Sequence, residues 1–280
     1  VISRFIGALV RALLVVAMIA APSMILPGTT PDVAQVVTLV AIFAAALTFF
    51  EYASTYPGLV EFRDAPPFNR VRFASLFLTV VLLSLMTAAS REPSEVGAFV
   101  AGMGRTVGSV IDFPYSPVRL VVLMLPPEAP VEHVHLVRDS AGLAYFISLF
   151  TLAFFVILQR LRRWPMRNGD FNVWVNLPTF DPTAGGDVVE RLERDARFNI
   201  ALGFLLPFLT PAVIKSATSL FGTVSLDNPQ TLIWTVAAWA FLPASLFMRG
   251  IAMGRIAMLI REKRKSSSKE DEGNAGLLPV

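Results

Sequence analysis

The chain reads as an all-α protein, a polytopic transmembrane helical bundle of about six spans with short interfacial helices on both sides. Three observations predict this. Hydrophobic residues make up 54% of the 280 and charged residues only 16%, against about a quarter charged in a soluble domain. Six stretches are long, apolar and nearly free of charge, each close to the ~20 residues that cross ~30 Å of hydrocarbon. The arginines gather on one side of those stretches.

The first span covers 5–26, with Arg4 and Arg11 near its start and Pro27-Gly28 closing it. Arg4, an apolar core and Ala20-Ala21 also fit a cleavable leader. The length of the run and the second run close behind favour a retained span. The second covers 33–50, and the third, 73–89, follows a polar loop at 51–72 that carries Arg63, Arg70 and Arg72. The fourth is 141–159, with Asp139 or Ser140 placed to cap its first turn. It ends in the densest basic cluster of the chain, Arg160, Arg162, Arg163 and Arg167. The fifth, 199–221, is interrupted by Pro207 and Pro211. The sixth, 229–248, opens on Asn228-Pro229, a side-chain cap followed by proline at the first helical position. Residues 1–260 thus form one transmembrane helical domain, and 261–280 a charged, flexible tail running from basic to acidic.

Orientation follows from charge. The N-terminus, loop 51–72, segment 160–198 and the tail are rich in arginine and lysine, whereas the turns at 27–32 and 222–228 carry neither. Six spans with both ends on the positive side satisfy the positive-inside rule. An arginine-over-lysine, alanine-rich bias fits a GC-rich bacterial genome, so the expected location is the bacterial inner membrane with both termini cytoplasmic. The outer segment, 90–140, holds two short apolar runs broken by proline. These are expected to lie in the interface, with a re-entrant hairpin as the alternative. On the inner side, Asp187 with Glu190 three residues on makes a capping box. Val188, Val189, Leu192 and Ala196 follow as an apolar stripe, which predicts an amphipathic helix on the membrane surface.

Several chemistries are removed by composition. With no cysteine there is no disulfide, Cys-ligated zinc or iron–sulfur cluster. The two histidines share one loop, so haem held between two histidines across the bilayer is disfavoured too, and no cofactor is expected. A net charge of +3 is too small for a nucleic-acid footprint.

The candidate site residues are few. His133 and His135 with Glu132 could form an outward metal site, provided the segment is extended so that both rings share a side. Lys215 is the one basic group deep in a span, and the Pro207/Pro211 break frees backbone carbonyls; together they are the candidate solute contacts. Gly104/Gly108 and Gly250/Gly254 have the four-residue spacing that lets helices approach closely. Asp181, Asp187, Glu190, Glu193 and Asp195 form a loose acidic group, expected to pair within its own helix. Tyr145, Trp234 and Trp239 are candidate contacts for a pigment or quinone.

Spans two, three and four carry no interior charge. Since an ion at membrane depth costs several kcal/mol unless paired or hydrated, the expected function is non-catalytic. The chain then serves as an accessory, assembly or scaffold subunit, its partners the lipid bilayer and other membrane subunits. A small-solute transporter using Lys215, and a membrane enzyme with the histidine site, are the alternatives.

Overall fold

The computed structural model describes residues 2–56, 58–161, 164–165, 176–181, 183, 185–221 and 226–275. Among the described residues the regular elements are eight helices: α1 (Ile2–Ile25), α2 (Pro31–Ala53), α3 (Phe68–Ala89), α4 (Glu95–Ile111), α5 (Pro117–Val122), α6 (Val131–Leu161), α7 (Val188–Phe221) and α8 (Pro229–Ala275). No strand occurs among the described residues. Six of them, all but α4 and α5, are long and apolar enough to cross a membrane.

Helix starts follow local chemistry. Thr30, Ser94 and Ser116 each accept a backbone N–H from the first turn of the helix they precede. Asn228 does the same for α8, its Oδ1 accepting from Gln230 and Thr231 at 2.9 and 3.2 Å. Each cap satisfies donors that a helix end otherwise leaves orphaned.

The centre of the molecule is a triangle of α3, α6 and α8. At one end α4 lies across α3 and α6, and α5 sits between α6 and α7. The α1–α2 hairpin joins the bundle mainly through α1 against α3, and α7 runs along α8. Val80, Leu83, Met86, Val118, Ala141 and Ile233 fill the core near α4 and α5. A second core at the opposite end gathers Phe62, Phe68, Phe155, Trp164, Leu192 and Met253.

Glycine sets the closest crossings. A Cβ on Gly104 would stand 2.7 Å from Met86 Sδ, and one on Gly108 3.0 Å from Asp139 Cα. The nearest atoms of other helices to Gly97, Gly104 and Gly108 belong to Leu85–Ala89 of α3 and Arg138–Gly142 of α6. Twelve residues of α4, 97–108, therefore meet about one turn of each neighbour, so α4 lies across the end of the bundle and not along it. Val96, Phe99, Met103 and Val110 face outward from it, as suits an interfacial helix. On the other flank, a Cβ on Gly250 would stand 2.7 Å from the Ala196 carbonyl, and one on Gly203 2.7 Å from the Pro243 carbonyl. Gly254 has room, its nearest neighbour lying at 3.8 Å.

Three boundaries differ from expectation. Helix α6 starts at Val131, ten residues before 141, because nothing between Pro130 and the span breaks the helix. Asp139 therefore sits inside a helix, bonded to Arg138 Nε at 2.9 Å, and caps nothing. The stripe of Val189, Leu192 and Ala196 does not lie on a membrane surface. It forms the first turns of α7 and is buried against Ala252, Met253, Ile256 and Ala257 of α8. The partner exists because α8 runs on past 248, through the tail to Ala275, and so supplies the apolar cover that α7 needs.

A methyl at Gly250 would have to displace backbone, whereas one at Gly254 would meet ordinary contact. Gly250→Ala is expected to lower the thermal unfolding midpoint in detergent, at a cost of about 1–3 kcal/mol. Gly254→Ala should stay within about 0.5 kcal/mol of the parent. Equal midpoints for the two variants would refute this account of the α7–α8 crossing.

Candidate functional site

The polar residues of this protein collect at the end of the bundle that holds the starts of α1 and α3 and the later turns of α8. There the 51–67 connection folds back under the helices. Arg63 secures it, its side chain only 5% exposed. Its guanidinium donates to the carbonyls of Glu51, Ser54 and Thr55 at 3.0, 2.9 and 3.2 Å. A cation at the carbonyl end of a helix meets both the orphaned acceptors and the negative end of the dipole. Glu51 works from the other side, one carboxylate oxygen accepting the N–H groups of Leu59 and Val60 at 2.6 and 2.8 Å.

The connection is then fastened to the 164–181 region. Phe62 N–H donates to the Asn176 carbonyl at 2.6 Å, and Trp164 Nε1 donates to the Ala65 carbonyl at 3.0 Å. Around these bonds Phe62, Phe68, Phe155 and Trp164 stack in a box with ring centroids 4.5–6.1 Å apart. Such aromatic pairs add about 0.5–1.5 kcal/mol each beyond their buried area.

Over this floor a cleft of about 620 Å³ opens between α1, α2, α3 and α8. Glu61 stands at its polar end and forms a bidentate pair with Arg249 of α8, at 2.6 and 2.8 Å. Thr179 donates to the same carboxylate at 2.7 Å. Burial alone would push the Glu61 pKa up; the Arg249 pair and the Thr179 hydroxyl outweigh it and hold the pKa below its ordinary value of 4.5. Arg72 of α3 lines the same cleft with far less support. Its Nη1 reaches Asn69 Oδ1 at 3.4 Å, its Nε is buried without a hydrogen-bond partner, and its guanidinium lies between the rings of Phe68 and Phe241. Tyr52 separates the cleft from a neighbouring one that holds Arg4, Arg11 and Arg63, with the Arg11 guanidinium over its ring at 4.6 Å. Glu61, Arg72 and Arg249 escaped sequence reasoning because they lie far apart in the chain. The available signal was a carboxylate and two arginines at the same end of spans two, three and six.

The residues expected to carry chemistry are placed otherwise. The metal site needed an extended segment, but His133 and His135 stand on the helix α6. Two residues apart on a helix, they point about 200° away from each other. His133 Nε2 lies 3.5 Å from Asp227, while His135 and Glu132 line a different cleft with Arg105. Among the described residues no group of three or more histidine, aspartate or glutamate side chains is arranged to hold a metal. Proline 211 has no N–H for the carbonyl four residues back, which is that of Pro207. Trp239 of α8 fills the gap, donating to this carbonyl at 3.1 Å. Lys215 extends from α7 to the Leu125 carbonyl at 3.5 Å. Tyr145 and Trp239 stack at 5.7 Å, beside an apolar cavity of about 360 Å³ between α5, α7 and α8; Trp234 is half-buried nearby.

Two of the five acidic residues, Asp187 and Glu193, pair between helices. Asp187 caps α7 through Val189 N–H at 2.9 Å and meets Arg264 of α8 at 2.9 Å, which together hold its pKa low. Glu193 pairs with Arg261 of α8, and Arg191 donates to the Asp181 carbonyl. Arg194 lies 3.6 Å from Asp195 on its own helix. Of the basic cluster, Arg160 is exposed at the end of α6, and Arg162, Arg163 and Arg167 lie outside the described residues. Compared with protein-family models, curated proteins and solved structures, the chain finds no match.

Because the folded-state pKa of Glu61 is depressed, its contribution to stability is full above the ordinary carboxylate range. It is lost as the pH falls through and below 4.5. At neutral pH, Glu61→Gln should cost about 2 kcal/mol or more, since it leaves Arg249 partly buried without its anion. The gap between parent and variant should close on acidification. Thermal melts of both proteins across that range check it, and a gap independent of pH would contradict the pairing.

Proposed function

We propose that this chain is a non-catalytic membrane protein, an accessory, assembly or scaffold subunit that packs against a larger membrane complex. The observation that carries this reading is the state of α2. It carries no charge between Val33 and Phe50, packs against α1, and buries only Ala41. Leu39, Phe43, Leu47 and Phe50 stand on its outer side with exposures of 71, 66, 45 and 68%. Between lipid and protein there is no hydrophobic drive to hold such a helix in place, only packing and hydrogen bonds. A peripheral hairpin with one neighbour of its own is well suited to lie between the bundle and a second subunit.

The interior supports the same reading. Its polar groups are mainly hydroxyls turned on the helices themselves: Thr79 donates to the Ser75 carbonyl, Ser84 to that of Val80, and Thr151 to that of Ile147. The carrier alternative was motivated by Lys215 and by the Pro207/Pro211 break. The Pro207 carbonyl is spent on Trp239 and the lysine reaches Leu125, so neither points to a solute. The enzyme alternative loses its motive with the divergence of His133 and His135. In this reading the arginine-rich ends face the cytoplasm of a bacterial cell, as charge asymmetry directs.

Photo-reactive side chains placed at Leu39 and Phe43 of α2, and at Leu205 of α7 for comparison, test the proposal in native membranes. Adducts to one defined protein are expected from the α2 positions and not from α7. A chain that purifies in mild detergent as a lone monomer, with no adduct from α2, would overturn it.

A further inference from the structure

We infer that the cleft between α1, α2, α3 and α8 binds an anionic glycerophospholipid from the arginine-rich leaflet, its phosphate diester against Arg72. The inference is independent of whether α2 has a protein partner.

The charge count of the cleft comes first. Among the described residues Glu61 is the one carboxylate that lines it, and that carboxylate already accepts two bonds from Arg249 and one from Thr179. The cleft also holds a second guanidinium, that of Arg72, with no anion of its own. Five N–H donors face one long bond to Asn69 and two aromatic rings, and Nε has nothing. A cation so enclosed costs several kcal/mol unless an anion joins it. A phosphate diester accepts two parallel bonds from a guanidinium and matches its planar fork, as an ammonium would not.

The shape supplies the second argument. Along α8 the cleft runs from Arg249 to Phe241, eight residues or about 12 Å of helix. Its charged groups, Glu61, Arg72 and Arg249, lie toward the end of the bundle with Tyr52, Asn69 and Thr179, and only the hydroxyls of Thr48 and Ser245 stand deeper. Toward the centre its walls become Val15, Phe73, Phe241 and Leu246. That gradient, ionic at the interface and apolar deeper in, is that of a lipid headgroup and the upper part of its chain. A volume of about 620 Å³ takes this much of the molecule and leaves the remaining chain in the bilayer. A free inorganic anion would use the arginine and leave the apolar wall without purpose.

The test uses the full chain, freed of lipid in an uncharged maltoside detergent. Phosphatidylglycerol is added, with phosphatidylcholine and inorganic phosphate as separate arms, and thermal shift and native mass spectrometry are the readouts. Phosphatidylglycerol is expected to raise the unfolding midpoint by about 3 °C or more, and the other two to leave it unchanged. Arg72→Met should fold at least as well without lipid, because it removes an unpaired buried charge, and should bind phosphatidylglycerol about tenfold more weakly or worse. Val15→Trp, which keeps the arginine and fills the apolar end, should lose the same response, and it decides the matter if Arg72→Met does not fold. Equal shifts from phosphatidylcholine would overturn the inference. So would an equal shift from inorganic phosphate, which would mark a free-anion site, or an undiminished lipid response in either folded variant.

Discussion

Hydrocarbon offers no hydrogen bond, so every backbone group inside a membrane must find its partner within the protein. The α7–α8 pair is built around that constraint. Proline 211 interrupts α7 and leaves the Pro207 carbonyl bare, and the Trp239 indole of α8 covers it. One turn earlier, Gly203 lets the Pro243 carbonyl and Phe247 of α8 approach its backbone more closely than any side chain would allow. The break in α7 thus works as a joint to α8. Beyond the spans the same two helices stay together by other means: Leu192 and Ala196 against Met253 and Ile256, then Asp187 with Arg264 and Glu193 with Arg261. Polar complementarity rules inside the apolar region, apolar burial and ion pairs outside it, and each takes over where the solvent changes.

How far the sequence could be read depended on whether a feature was local. The six spans, the Asn228 and Asp187 caps and the close-packing roles of Gly104, Gly108 and Gly250 could all be inferred from neighbours within a few turns. Gly254, with the same spacing, turned out to stand in ordinary contact, because spacing identifies a helix face and not what lies opposite. The surface helix failed for a related reason. An amphipathic stripe says that something apolar covers it, and α8 was not expected to extend far enough to be that cover. The histidine pair failed on a conformational premise, since an extended segment and a helix place i and i+2 on opposite terms. The cleft was least legible of all. Its ionic residues come from positions 61, 72 and 249, brought together by a connection whose apolar residues follow no period.

The three partly buried arginines at that end show why placement matters more than count. Arg63 has carbonyls at a helix terminus, three of them within 3.2 Å, and the Asp64 carboxylate at 3.3 Å. Arg249 has a carboxylate in the best geometry available to a guanidinium. Arg72 has one long bond and two ring faces. Cation–π contact of this kind is worth about 0.5–2 kcal/mol, which does not offset the loss of hydration for a full charge. The first two arginines are explained by the fold they hold together. The third is not, and its surplus is why the cleft reads as a site for an anion and not as one more structural bridge.

A bundle with such an end and such a middle divides its work by depth. Between the polar ends, spans two, three, four and six contribute no charged residue; the hydroxyls at Thr79, Ser84 and Thr151 bond back to their own helices, and Thr151 also reaches Ser75 of α3 at 2.9 Å. At the arginine-rich end, fixed charges, an aromatic floor and a sideways opening all meet where lipid headgroups lie. A charged rim around an uncharged centre agrees with the proposed role of a subunit that stands against lipid and neighbours. The same division explains why the hairpin of α1 and α2 sits a little apart from α8. Packing it tightly would close the cleft, so the gap that leaves α2 peripheral is also the space an anionic lipid would occupy.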